Sequence, residues 1–183
     1  TAPATGMTKT SATTTTSGIS IYSTLWTPAI DSSNMFDANQ AYTVTITVKN
    51  TTGNTFASSG TVKVNGVEKS WNPSGGTLTV SHTFPATATA SPVSDVKCTL
   101  EEPKASNTPA KSVDFTNQAG KLKSTVTWDT KDTKFVLGKK YTATVVIEPT
   151  NEKAYPITSP VTLKCNGDSI KDFKLDGQKI TFT

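Results

Sequence analysis

One pattern is written twice in this chain. Trp26, Phe36, Asn39 and Tyr42-Thr-Val-Thr-Ile-Thr-Val48 return as Trp128, Phe135, Gly138 and Tyr141-Thr-Ala-Thr-Val-Val-Ile147. From Phe36 to Phe56 each partner lies a constant 99 residues further on, Phe56 pairing with Tyr155. A repeat of that length divides the 183 residues into two small domains rather than one large fold. The boundary falls in Ala86-Thr-Ala-Thr-Ala-Ser-Pro92, giving expected domains at 1–89 and 90–183. A unit used twice points to a building element more than to a catalyst.

Each copy is expected to be built from short β-strands. Tyr42, Val44, Ile46 and Val48 alternate with Thr43, Thr45 and Thr47. In the second copy Tyr141, Ala143, Val145 and Ile147 form the inward set, against Thr142, Thr144 and Glu148. Strict alternation marks a half-buried antiparallel strand. Thr61-Val-Lys-Val64 and Thr162-Leu-Lys-Cys165 each run into Asn-Gly, at Asn65-Gly66 and Asn166-Gly167. Asn and Gly tolerate φ > 0 at both central positions, so each pair predicts a type I′ hairpin. Asn39 and Gly138 occupy equivalent turn sites for the same reason. Gly76–Phe84, Val93–Leu100 and Lys179–Phe182 supply further strands. Many short strands with turns between them, and no helical period, imply an all-β chain of two tandem antiparallel β-sandwiches.

Composition agrees. Threonine makes up 36 of 183 residues, and its β-branched side chain suits the solvent face of a strand. All 18 basic residues are lysine. Nucleic-acid readers depend on the bidentate guanidinium, so no nucleic-acid partner is expected. The formal net charge of +4 is spread over a mixed surface: four Lys and three acids up to Ala90, fourteen Lys and eleven acids beyond it. No apolar stretch approaches the roughly 18 residues that span a bilayer, so direct membrane insertion is not expected.

The assembled residues resemble the immunoglobulin-like repeats of bacterial, especially Gram-positive, cell-surface proteins. In the first copy the matching pieces are Trp26-Thr-Pro28, Phe36, Tyr42–Val48, Gly53-Asn-Thr-Phe56 and Phe84-Pro-Ala-Thr87. In the second they are Val96–Pro103, Trp128, Phe135, Tyr141–Ile147 and Tyr155. The resemblance implies two Ig-like domains, secreted or cell-surface attached, within a longer chain of neighbouring domains. The first copy has no counterpart to Val93–Leu100. Either the fragment begins inside its first repeat, or another chain supplies that strand.

Trp26, Tyr42, Trp128 and Tyr141 recur in both copies and are expected to be scaffold core, the two Trp as buried Ig-type residues. Cys98 and Cys165 both fall on inward strand faces. In an oxidising setting a disulfide stapling the sandwich would contribute about 2–4 kcal/mol, and otherwise the two are buried thiols. Trp71 and Asn72 lie in a Gly/Pro/Ser-rich stretch that either caps the sandwich or forms a ligand-binding loop for stacking a sugar. The loop Pro28–Met35 is longer than its counterpart and is a second place for a binding function. His82, the sole histidine, has no Gly-x-Ser-x-Gly elbow to work with, and a structural role is expected. The Asp31…Asn34 and Asp129…Asp132 pairs match no dedicated calcium loop. No catalytic, metal or cofactor site is therefore expected. The expected function is a non-catalytic extracellular stalk, spacer or adhesion unit, with a host or surface glycan or protein as partner. The alternative is a carbohydrate- or glycoprotein-binding module that uses Trp71.

Overall fold

The fold comes from a computed structural model that describes residues 1–53 and 55–183, apart from the side chains of Asn72 and Ser74. The chain is all-β, with no helix among the described residues. It divides into two compact units, Thr1–Thr89 and Ala90–Thr183.

The first unit contains β1 (Ile19–Thr27), β2 (Thr43–Asn50), β3 (Thr61–Val64), β4 (Val67–Ser70), β5 (Asn72–Ser74) and β6 (Thr77–Thr83). Strands β1-β2-β6-β5 form one antiparallel sheet, and β3-β4 a separate hairpin. The alternation predicted for β2 is present, with Val44 and Val48 buried. On the opposite face its threonines meet hydroxyls of β6: Thr43 with Thr83 at 2.8 Å, Thr45 with Ser81 at 3.0 Å, Thr47 with Thr79 at 3.4 Å. This is what the threonine enrichment does locally. Each β-branched side chain favours the strand and bonds its cross-strand neighbour. A register shift in β1 between Ile21 and Ser23 leaves Tyr22 out of the pairing and exposed.

The second unit contains β7 (Val93–Thr99), β8 (Asp114–Phe115), β9 (Leu122–Trp128), β10 (Ala143–Pro149), β11 (Ile157–Cys165), β12 (Asp168–Ser169), β13 (Phe173–Asp176) and β14 (Lys179–Phe182). Two four-stranded sheets, β13-β14-β10-β9 and β12-β11-β7-β8, bury one shared core and make a sandwich-like unit. Val93, Val96, Cys98 and Leu163 come from one sheet; Val126, Val145, Ile147 and Ile180 come from the other. One pairing departs from the antiparallel expectation, because β7 runs parallel to β11. A parallel neighbour cannot be reached by a tight hairpin, and β7 and β11 are accordingly far apart in the sequence.

Both Asn-Gly hairpins are as predicted, with φ of 48° and 82° at Asn65-Gly66 and 53° and 91° at Asn166-Gly167. Asn39 and Gly138 also share positive φ, 53° and 76°. The segment before β1 is anchored at its start: Gly6 N donates to Phe36 O at 2.8 Å, and Phe36 N donates to Met7 O at 3.0 Å. The second unit repeats these bonds with Ser106 N to Phe135 O at 2.8 Å and Phe135 N to Asn107 O at 2.9 Å.

Candidate functional site

The repeated aromatics form the same stack in each unit. Trp26 meets Phe36 edge-on at 4.9 Å between ring centroids, and Phe36 meets Tyr42 at 4.9 Å. Trp128, Phe135 and Tyr141 reproduce this at 5.0 and 4.7 Å. The Tyr hydroxyls accept from backbone N–H five residues upstream, Tyr42 from Asp37 at 2.9 Å and Tyr141 from Val136 at 2.8 Å. Edge-on rings with a satisfied phenol make a rigid joint. The Trp residues are not fully buried as expected. Trp26 and Trp128 are half-buried, while the phenylalanines are enclosed, Phe36 at 0 % and Phe135 at 5 % exposure, joined in the first unit by Tyr42 at 1 %. The reason is geometric: Trp26 and Trp128 sit at strand ends, while each Phe is wrapped by the segment that hydrogen-bonds to it.

The cysteines are brought together but not as a staple between sheets. Cys98 and Cys165 are register partners on the neighbouring strands β7 and β11 of one sheet. Both are free and buried, and Cys98 Sγ donates to Lys164 O at 3.6 Å. Burial, with Cys165 adding to it, pushes the Cys98 thiol up to about 12 from 9.0. A thiol so far above neutrality carries almost no thiolate and is a poor nucleophile and a poor metal ligand. Of the two readings of this pair, the structure has the second, two buried thiols acting as small core hydrophobes.

Trp71 turns inward. It precedes β5 and is half-buried, with its Nε1 enclosed and unpartnered. Its ring lies on Gly60, where a Cβ would come within 2.1 Å of Cζ2. Gly60 is therefore required for this close approach. A flat, solvent-facing ring for a sugar is not what this position presents. The Asn72 side chain, expected beside it in the binding loop, lies outside the described residues. The long loop Pro28–Met35 is tied internally. Ser33 N donates to Asp31 Oδ1 at 2.9 Å and Asn34 N to Asp31 O at 3.1 Å, while Met35 bridges to Thr8.

His82, Asp129 and Asp132 are engaged in local structure. His82 packs edge-on against Phe84 at 4.4 Å. Burial first, and Lys69 second, hold it below its ordinary value. Asp132 accepts from Lys139 Nζ at 2.8 Å, which holds its carboxyl below the usual range. Asp129 Oδ1 accepts from Thr142 N at 2.9 Å. Among the described residues no group of three or more His, Cys, Asp or Glu could hold a metal ion, and no helix is long and apolar enough to cross a membrane.

An opening in the first unit lies beside β3. A cavity of about 430 Å³ is lined by Ile19, Ile21, Ile46, Val62, Trp71 and Val80 among others. Ile19, Ile21, Ile46 and Val62 are only half-buried. Thr13–Thr16 lies along its rim, where the second unit has Val113, 5 % exposed, and the strand Asp114–Phe115. Threonine hydroxyls resist burial without partners, so this stretch borders the opening and does not fill it.

Sequence reasoning missed one further feature, the turn after each phenylalanine. Val136 and Leu137 are 54 % and 86 % exposed, where the first copy has Asp37 and Ala38. The available signal was that mismatch between the copies, an apolar pair in a turn next to Gly138. Comparison of the chain with protein-family models, with curated proteins and with solved structures found no match.

Proposed function

We propose that the chain is a non-catalytic, extracellular tandem Ig-like module of a bacterial cell-surface or secreted protein, serving as a stalk, spacer or adhesion unit. The observation that carries this reading is the aromatic joint built twice. Trp26–Phe36–Tyr42 and Trp128–Phe135–Tyr141 use the same contacts and the same Tyr hydroxyl bond. Rigid units repeated along a chain set distance between what lies at either end. The groups best suited to chemistry support the same reading, being spent on structure: buried thiols, a histidine against Phe84, and carboxylates held by Lys139 and by Thr142 N. The exposed Val136-Leu137 pair would be the adhesive point of an adhesion unit, because exposed apolar side chains on a turn are an available contact. A carbohydrate-binding role through Trp71 would require the ring to leave Gly60.

The test is display. Antibody raised against the chain should label intact cells of the source organism, or the culture medium, without lysis. Signal confined to lysed cells would rule the reading out.

A further inference from the structure

In the second unit β7 lies between β8 and β11. Its Val96 and Cys98, opposite Leu163 and Cys165, are 0 % and 3 % exposed. Two polar contacts fix its register. Thr162 Oγ1 donates to Asp95 Oδ1 at 2.7 Å. Beyond the strand, Asn166 Oδ1 accepts from Leu100 N at 2.9 Å and its Nδ2 donates to Leu100 O at 3.0 Å.

The first unit carries the receiving half of every one of these contacts. Thr61, Val62, Val64 and Asn65 stand 101 residues before Thr162, Leu163, Cys165 and Asn166. The hairpin is conformationally the same, with Asn65 at φ 48° and Asn166 at 53°. Yet β3 pairs with β4 alone among the described strands, and its other edge borders the cavity of about 430 Å³ walled by Ile19, Ile21, Ile46 and Val62. An apolar wall beside an unpaired strand edge is the arrangement that takes up an added strand.

We propose that the first unit is a strand acceptor, which binds one extended segment of another polypeptide in the manner of β7. The segment lies parallel to β3. It sets an Asp or similar acceptor against Thr61, a Val-sized apolar residue against Val62 and a small apolar residue against Val64, and its next backbone unit bonds the side-chain amide of Asn65. The alternation Asp-Val-x-Val is the recognised chemistry; backbone hydrogen bonds to β3 supply the rest. This goes beyond the spacer reading and stands whether or not the chain is displayed on a surface.

The probe is a synthetic peptide copying residues 92–101, with Cys98→Val to prevent thiol exchange, added to the full chain. Hydrogen exchange is followed at those amides of Thr61–Val64 that face away from β4. Saturable slowing by at least about tenfold is expected, and a peptide also carrying Val96→Asp and Val in place of Asp95 should lose it. Three results would each overturn the proposal. The first is no slowing at millimolar peptide. The second is that these amides are already slow without peptide, because Ser11–Thr16 closes the edge. The third is slowing seen only when the same residues are fused ahead of Thr1, with the free peptide inert.

Discussion

Leu163 in the second unit and Val62 in the first hold the same place in the repeat, yet Leu163 is 3 % exposed and Val62 is only half-buried. The same contrast runs along the wall they face. Leu122 and Val145 are buried at 5 % and 1 %, whereas Ile19 and Ile46 remain half-open. The difference does not come from weaker sequence in the first unit, since isoleucine and valine are as apolar as their counterparts. It comes from β7, which covers one wall and has no equivalent among the described residues of the first unit. In the aromatic joint the units agree, with each phenylalanine in edge-on contact with its tryptophan and tyrosine. Stability in such a fold is therefore set by one aromatic joint that both units have and one covering strand that only one has.

Substitution at the joint should give the largest and most even effect. Phe36→Ala and Phe135→Ala are each expected to cost about 3–5 kcal/mol, read as lost hydrogen-exchange protection in the unit concerned. A loss in only one unit would break the claim that the joint is equivalent. Further along the core the costs should diverge. Leu163→Ala is expected to cost about 2–5 kcal/mol in the second unit. Val62→Ala should cost less in the first, about 1 kcal/mol, because the smaller Val62 is only partly buried against its core. Denaturant unfolding followed by hydrogen exchange at the core amides of each unit would measure both.

Smaller effects sharpen the contrast at the hairpins. Asn166→Gly keeps the positive φ and removes the clamp on Leu100, for an expected loss of about 1–2 kcal/mol, whereas Asn65→Gly should be close to neutral. The pH responses should differ in direction as well. The Cys98 thiol is raised to about 12, so the folded second unit keeps a proton that its unfolded chain releases. Its stability should fall as pH rises above about 9, and a thiol reagent should modify Cys98 and Cys165 only as that unit opens. His82 is held below its ordinary value, so the unfolded first unit takes up the proton first. That unit should weaken as pH falls below about 6.5. A first unit that weakens in alkali more than the second would contradict this assignment.

Much of this was legible in the residues. Period-2 alternation located β2, β10 and β14, and the Asn-Gly pairs located both hairpins, because these signals are local and each follows from backbone sterics. The absent partner of Val93–Leu100 was also visible, as a gap in the repeat. What was not legible depends on contacts distant in sequence. Cys98 and Cys165 were recognised as inward, but only the parallel pairing of β7 with β11 puts them in one sheet. Trp71 stayed open between a cap and a loop ring because nothing local announces that Gly60 offers it a bare backbone to lie on. The burial of Phe36, deeper than that of Trp26, likewise depends on Gly6 and Met7 reaching across to it.

The asparagine clamp also sets a rate. An Asn-Gly bond ages when the glycine nitrogen attacks the asparagine side-chain carbonyl, loses ammonia and hydrolyses to Asp or isoaspartate. That attack needs the side chain to swing toward Gly. Asn166 is pinned through both of its side-chain atoms to Leu100, while Asn65 faces the cavity beside β3. Over storage, deamidation should accumulate at Asn65 before Asn166, so the first unit acquires a new negative charge with time while the second holds its original one.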